Sequence, residues 1–311
     1  MILLTLSSYA KVLEISKEDE IRILHTLDIN PSFMKDHRYN KMKNNIDKIT
    51  TKFFLMSLKR GQIFLPNLHE IIGNSDIPNI FLYMAMTESG FILDAKSHKN
   101  ARGLWQLMPP TAKRLGLKIS QDIDERLDPI KSTKAAIKYL DYLHGRFKKW
   151  YLVAIAYNCG ETKLAKAIKQ AKTDSLLVLL NPQKRYLPQE TRNYIRRIII
   201  SALLAFDRTI ILKNNAQHLF GNCSGQKLKK VIIKKGTSIT KIAKKYNIPV
   251  KEIKKCNPQI LRYYIPKIED EYYIYLPESV AQKIEQKKEK KQKQDETTQK
   301  KDKKEKQKSN S

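Results

Sequence analysis

The sequence predicts a mainly α-helical chain that ends in a small βααβ unit and a basic tail. Three observations carry this. From Ile80 to about Asp207, apolar residues recur at helical spacing with no strand-like alternation. After about Lys213 the texture changes, and short runs rich in β-branched and aromatic residues flank two short helical stretches. Beyond Gln282 aromatic residues are absent and apolar ones nearly so.

Taken in order, "MILLTLSSYAKV" has a short apolar run ending in Ser8-Tyr9-Ala10, a small-x-small pattern. Residues 1–10 therefore read as a clipped signal-peptide remnant. Residues 11–75 read as a helical lead-in, broken by polar stretches such as Asn30-Pro31. Residues 76–212 form the main helical domain. Its first helix follows Asp76-Ile77-Pro78, is almost wholly apolar from Ile80 to Met86, and stops at Gly90. Pro109-Pro110-Thr111 opens another helix, since proline is tolerated in a first turn. Ser132 is the expected N-cap of the next, whose Ala135, Ala136, Tyr139, Leu140 and Leu143 share a face. Trp150 to Tyr157 is a buried segment ending in Asn158-Cys159-Gly160, and Glu190 to Phe206 is a further helix. Residues 213–228 read as a linker. In residues 229–278, "KVIIKKG" and "EYYIYLP" are strands around the helices of "TSITKIAKKYN" and "PVKEIKKCN". Residues 279–311 form a Lys-rich tail expected to be disordered.

The formal charge is +29, of which the segment from Lys283 to Ser311 supplies only +6. The folded part is thus basic, and its partner is acidic: nucleic acid, an anionic membrane surface or a polyanionic wall. Charge alone does not choose among them. No apolar run approaches the roughly 18 residues of a membrane span. No CxxC occurs, and His69-Glu70 fails as HExxH because position 73 is Gly, so neither a metal nor a cofactor is expected. Ser224-Gly225-Gln226-Lys227 fits SxxK, but no SDN or KTG accompanies it.

One residue is out of place. Glu88 ends the apolar helix, where the helix dipole repels a carboxylate and Met84 and Ala85 desolvate it. Both effects raise its pKa. Either Glu88 turns to water and carries no function, or the chain keeps a proton there. Three later pieces place polar groups in apolar surroundings. They are "SHKNARGLWQLMP" with Ser97 and Gln106, "AIAYNCGE" with Tyr157 and Asn158, and "LPQETRNYIRR" with Tyr194.

In order and spacing, ESGF, S-x5-GLWQLMPPTA, AYNCGE and LPQET-x2-Y resemble the lytic murein transglycosylases of the SLT, goose-lysozyme-like family, over roughly residues 60 to 210. The resemblance implies a lysozyme-like helical domain that cleaves the β-1,4 bond between N-acetylmuramic acid and N-acetylglucosamine of peptidoglycan and forms 1,6-anhydromuramoyl ends. It places the single catalytic acid on Glu88 and a supporting tyrosine on Tyr194. It places glycan-groove residues on Ser97, Gly103, Leu104, Gln106, Tyr157 and Asn158. Cys159 stands where the family usually has Ala.

"KKGTSITKIAKKYNIPVKEIKKCNP" with "YIYLP" resembles a LysM module, which implies binding of N-acetylglucosamine faces through Gly236, Thr237, Ser238 and Ile239, and through Asn257, Pro258, Gln259 and Ile260. Thr237 stands where Asp is common, and Leu261 to Glu271 is longer and more charged than usual. A Cys223–Cys256 disulfide is one arrangement. The preferred reading sets Cys256 in an apolar slot of the second LysM helix, where the family often has Leu. The implied setting is the periplasm, at the wall or a membrane, with peptidoglycan strands as partner, other cell-wall enzymes as further candidates, and no nucleic acid. Two alternatives stand beside this reading: a lysozyme-type hydrolase, in which water replaces the C6 hydroxyl, and a non-catalytic wall-binding scaffold.

Overall fold

A computed structural model describes residues 14–216, 227–268 and 270–282. The residues read as a signal-peptide remnant, Cys223, most of the linker and nearly all of the tail lie outside these. The chain divides into two compact units, the first ending at Gly225 and the second beginning at Gln226.

The first unit is helical: α1 (Lys17–Thr26), α2 (His37–Asn44), α3 (Lys48–Gly61), α4 (Leu65–Gly73), α5 (Phe81–Ser89), α6 (Pro109–Arg114), α7 (Pro129–Phe147), α8 (Trp150–Cys159), α9 (Glu161–Ala171), α10 (Leu176–Leu179), α11 (Gln189–Phe206) and α12 (Arg208–Lys213). At its centre α11 packs against α5, α8 and α1, while α7 packs on α4 and α8. Position explains composition. Helix α11 buries Ile195, Ile198, Ile199 and Leu203 almost completely, each contributing about 1.5–3 kcal/mol. Helix α5 is enclosed on most sides, so it is apolar almost throughout.

Polar side chains set the helix ends. Ser16, Asp36 and Asp47 each accept a backbone N–H at the start of α1, α2 and α3. The N-cap of α7 is Asp128, which accepts from Ile130 and Lys131. The expectation of Ser132 in that role is corrected: Ser132 lies one turn inside the helix, buried, with its hydroxyl donating to the Asp128 carbonyl. The aspartate before Pro129 is the better cap because its carboxylate reaches two N–H groups at once.

The lead-in is built into this unit. The Arg196 guanidinium of α11 makes a two-point ion pair with Asp36, at 2.9 and 2.7 Å. Trp150 N–H donates to Asp28, and Tyr151 N–H to the Leu27 carbonyl. Asp207 accepts both from Ile210 at the start of α12 and from the backbone of Glu14.

The second unit is the expected βααβ arrangement: β1 (Leu228–Lys234), α13 (Ile239–Tyr246), α14 (Val250–Cys256) and β2 (Glu271–Pro277). The strands pair antiparallel, with Val231 opposite Ile274. Cys256 is fully buried as a free thiol, in keeping with the apolar-slot reading. The boundary expected for the tail is corrected. Residues 278–282 are helical and Ala281 is buried, so apolar packing holds the chain for several residues past β2.

Candidate active site

Helix α5 ends where its sequence says. Gly90 takes the left-handed conformation, φ +57°, and returns its N–H to the Met86 carbonyl. Two side chains of α3 hold this cap. Arg60 donates to the Gly90 carbonyl, and the Phe53 ring packs so closely that a Cβ built at Gly90 would lie 3.3 Å from it, tighter than ordinary contact. The last turn of α5 is thereby fixed, and Glu88 projects from it.

Tyr194 of α11 is 1% exposed and donates its hydroxyl to Glu88 Oε1 at 2.5 Å. Burial pushes the Glu88 carboxyl up to about 7. The Tyr194 hydrogen bond and the Arg197 charge pull it partly back, and Glu190 raises it further. Burial, followed by the nearby Glu88 charge, holds the Tyr194 phenol well above its usual range, so it acts as a donor only. The site is one protonatable carboxyl, held by one phenol, beside one guanidinium.

The loop after α5 explains several predicted positions. Ser97 closes a turn by accepting from the Ala101 N–H. Gly103, at φ +80°, is buried, and an added Cβ would sit 1.9 Å from the Arg126 carbonyl oxygen. Glycine is required there by close packing, not by the approach of a ligand. Gln106, at φ +45°, donates its amide to the Ala95 and Gly103 carbonyls. Tyr157 of α8 donates to the Trp105 carbonyl at 2.6 Å, and Trp105 donates to Thr133, so α7, α8 and the loop are locked together. Asn158 is partly exposed and makes no side-chain hydrogen bond among the described residues. Leu104 is a correction: it is 0% exposed, so it supports the loop from beneath and presents nothing to a groove.

In the second unit the expected binding residues separate into two groups. Gly236, Thr237, Ser238 and Pro258 reach the surface, and Ser238 also caps α13. Ile239, Asn257, Gln259 and Ile260 are buried, so within the two expected binding loops they support the loop rather than reach the surface. Asn257 pairs with β2 as a strand would: it accepts from the Tyr275 N–H and donates to the Tyr275 carbonyl, at 2.6 and 2.7 Å.

Sequence reasoning missed Arg197 and the Phe53–Arg60 clasp. Arg197 sits one helical turn from Tyr194, so it was legible once Tyr194 had been singled out. The clasp depends on tertiary contact alone. Among the described residues, no group of three or more His, Cys, Asp or Glu side chains is placed to hold a metal ion.

The site is thus a carboxyl at the end of a largely buried helix, hydrogen-bonded to a phenol from a central helix. Residues 73–176 match the transglycosylase SLT domain. Residues 227–293 match the LysM-like domain of lytic transglycosylase MltD, so the chain carries both modules. It is similar to membrane-bound lytic murein transglycosylase D of Escherichia coli (strain K12), at 31% identity over 201 residues, covering 62% of this chain and 42% of that protein. It is 37% identical over 123 residues to a protein of Alteromonas sp. (strain M-1) named for tributyltin chloride resistance, covering 39% of this chain and 59% of that one. The 70 kDa soluble lytic transglycosylase of E. coli aligns with a TM-score of 0.38 and 17% identity, covering 61% of this chain and 29% of the other. The chain thus spans 42% to 59% of the length of the two curated relatives.

Proposed function

We propose that this protein is a peptidoglycan lytic transglycosylase, cleaving between N-acetylmuramic acid and N-acetylglucosamine and leaving 1,6-anhydromuramoyl ends. The observation that carries the reading is the Glu88 carboxyl, poised near neutrality by burial and hydrogen-bonded to Tyr194. At neutral pH a large fraction holds its proton. Glu88 gives that proton to the glycosidic oxygen as the bond to the muramic C1 breaks. The substrate's own N-acetyl oxygen stabilises the cationic carbon. Glu88, now a carboxylate beside Arg197, takes the proton of the C6 hydroxyl while that oxygen bonds to C1. The acid is regenerated and no water is consumed.

Enzymes that hydrolyse glycosides usually need a second carboxylate to activate water or attack the sugar. Here Glu190 is the one other carboxylate that perturbs Glu88, and it lies exposed on the first turn of α11. Tyr194 occupies Oε1 and leaves the other carboxyl oxygen for the substrate. Ser97, Gln106, Tyr157 and Asn158 order the loop and helix ends around the glycan. The exposed loops at Gly236–Ser238 and Pro258 bind N-acetylglucosamine faces and retain the enzyme on its polymer. The place of action is the periplasm. Among the described residues, no helix is long and apolar enough to cross a membrane.

Mass spectrometry of the released fragments tests this. Anhydro products, one water lighter than the hydrolytic ones, are expected. Reducing muramic ends alone would assign a lysozyme-type hydrolase, and no cleavage would assign a wall-binding scaffold.

A further inference from the structure

Between α2, α3 and α11 lies a cavity of about 720 Å3. Its wall carries three cations, Arg38, Lys41 and Arg197, and no carboxylate. Thr87, the residue before Glu88, and the half-exposed Phe53 ring bring the cavity up to the end of α5. None of the three cations has a salt-bridge partner among the described residues. Arg197 shares its charge with Glu88, but Arg38 and Lys41 meet no counter-charge in the wall, and like charges so gathered repel one another, which a bound anion relieves. Asn193 also lines the cavity, and its Oδ1 is buried with no hydrogen-bond partner. A buried acceptor left unpaired is unfavourable and is satisfied by an N–H from a ligand. Arg38 borders a second cavity of about 710 Å3 at the start of α11, where Lys163, Arg185 and Arg192 are the other charged groups, all cationic.

The sugar rings of a bare glycan strand are uncharged and give such a cluster nothing to bind. The lactyl group of muramic acid, however, carries a peptide with carboxylates, amide N–H donors and small apolar side chains. Cations, an unpaired acceptor and an aromatic wall match that chemistry one for one. We infer that this cavity binds the acidic peptide borne by muramic acid, so that the enzyme selects peptide-bearing strands over peptide-free ones. This rests on the transglycosylase reading. Arg38, Lys41 and Arg197 hold carboxylates, Asn193 Oδ1 accepts a peptide N–H, and Phe53 covers a side chain.

Arg38 and Lys41 are exposed on α2, outside the residues that match the SLT domain, so replacing them leaves the fold and the reacting groups alone. The test compares wild-type protein with Arg38→Gln/Lys41→Gln on intact glycan strands and on strands stripped of peptide by an amidase. The wild type is expected to prefer peptide-bearing strands in kcat/KM. The double variant should lose about tenfold or more on these and nothing on stripped strands. Equal loss on both substrates, no loss on either, or no preference in the wild type would overturn the inference. If the wild type cleaves neither strand, the catalytic reading fails, and binding of N-acetylmuramoyl-L-alanyl-D-glutamate by calorimetry decides the cavity's role. Binding weakened about tenfold or more in the double variant supports the site. Absent binding, or binding insensitive to the substitutions, refutes it.

Discussion

Replacing Glu88 with Gln should do two opposite things: abolish turnover and stabilise the fold above neutral pH. The amide keeps the size and the acceptor for Tyr194 but cannot cycle a proton, so turnover should fall by about a hundred- to ten-thousand-fold. The stability effect follows from the shift itself. Burial raises the carboxyl from its ordinary 4.5 to about 7. Below pH 4.5 the folded and unfolded chains both hold the proton, and the shift has no effect. Between 4.5 and 7 the folded chain holds a proton that the unfolded chain has lost, so stability falls as pH rises. Above 7 the folded chain carries a buried carboxylate, which costs about 3 kcal/mol relative to acid conditions. Glutamine escapes most of this, for an expected gain of about 2–3 kcal/mol at pH 8.5 that vanishes near pH 4. Both tryptophans, Trp105 and Trp150, lie in the first unit, so denaturant titration followed by tryptophan fluorescence reports that unit alone. A wild-type–variant difference that is the same at both pH values would refute the argument from burial. Retention of more than about a tenth of the activity would remove Glu88 as the acid.

Tyr194→Phe removes the hydrogen bond that favours the ionised form, so the alkaline limb of the pH–rate profile should move upward, while kcat falls with a loss of about 1–3 kcal/mol. An unmoved limb would show that the hydroxyl does not act on Glu88. Gly103→Ala forces a methyl onto the Arg126 carbonyl in a left-handed conformation and should destabilise the first unit by at least about 3 kcal/mol, read as an earlier fluorescence midpoint. Deleting residues 226–311 should leave cleavage of soluble glycan fragments intact and lower retention on whole sacculi at matched salt. Equal retention would remove the second unit from targeting.

The elements most legible in the sequence were those whose cause is local. The apolar run before Glu88 and Gly90 as its stop follow from neighbouring residues, as do the two strands around α13 and α14. The raised pKa of Glu88 was also legible, because desolvation by apolar neighbours, its main cause, acts at short range. What failed depended on depth or on distant partners. Asn257 and Gln259 have polar side chains and read as parts of a binding loop. Asn257 is buried because β2, further along the chain, supplies its hydrogen bonds, and Gln259 lies buried beside it, donating to Asn257 Oδ1. Leu104 reads as groove-lining beside Gly103, but only the fold shows that both face inward. Ser132 lost its expected cap to Asp128 because two cap-forming residues stood within one turn. The Asp36–Arg196 pair, the Arg60 contact with Gly90 and the cationic cavity join segments that no periodicity connects.

The clasp on Gly90 bears on how far the catalytic module can be moved between proteins. The match to the SLT domain begins at residue 73, yet Phe53 and Arg60, which grip the cap two residues after the acid, come earlier in the chain. Asp36, which anchors α11 through Arg196, comes earlier still. A transplant cut at residue 73 would carry Glu88 and Tyr194 and leave behind the side chains that set the distance between them. A portable cassette must therefore reach back at least to Asp36 and forward through α11, and recombination that respects this should keep the Glu88–Tyr194 contact.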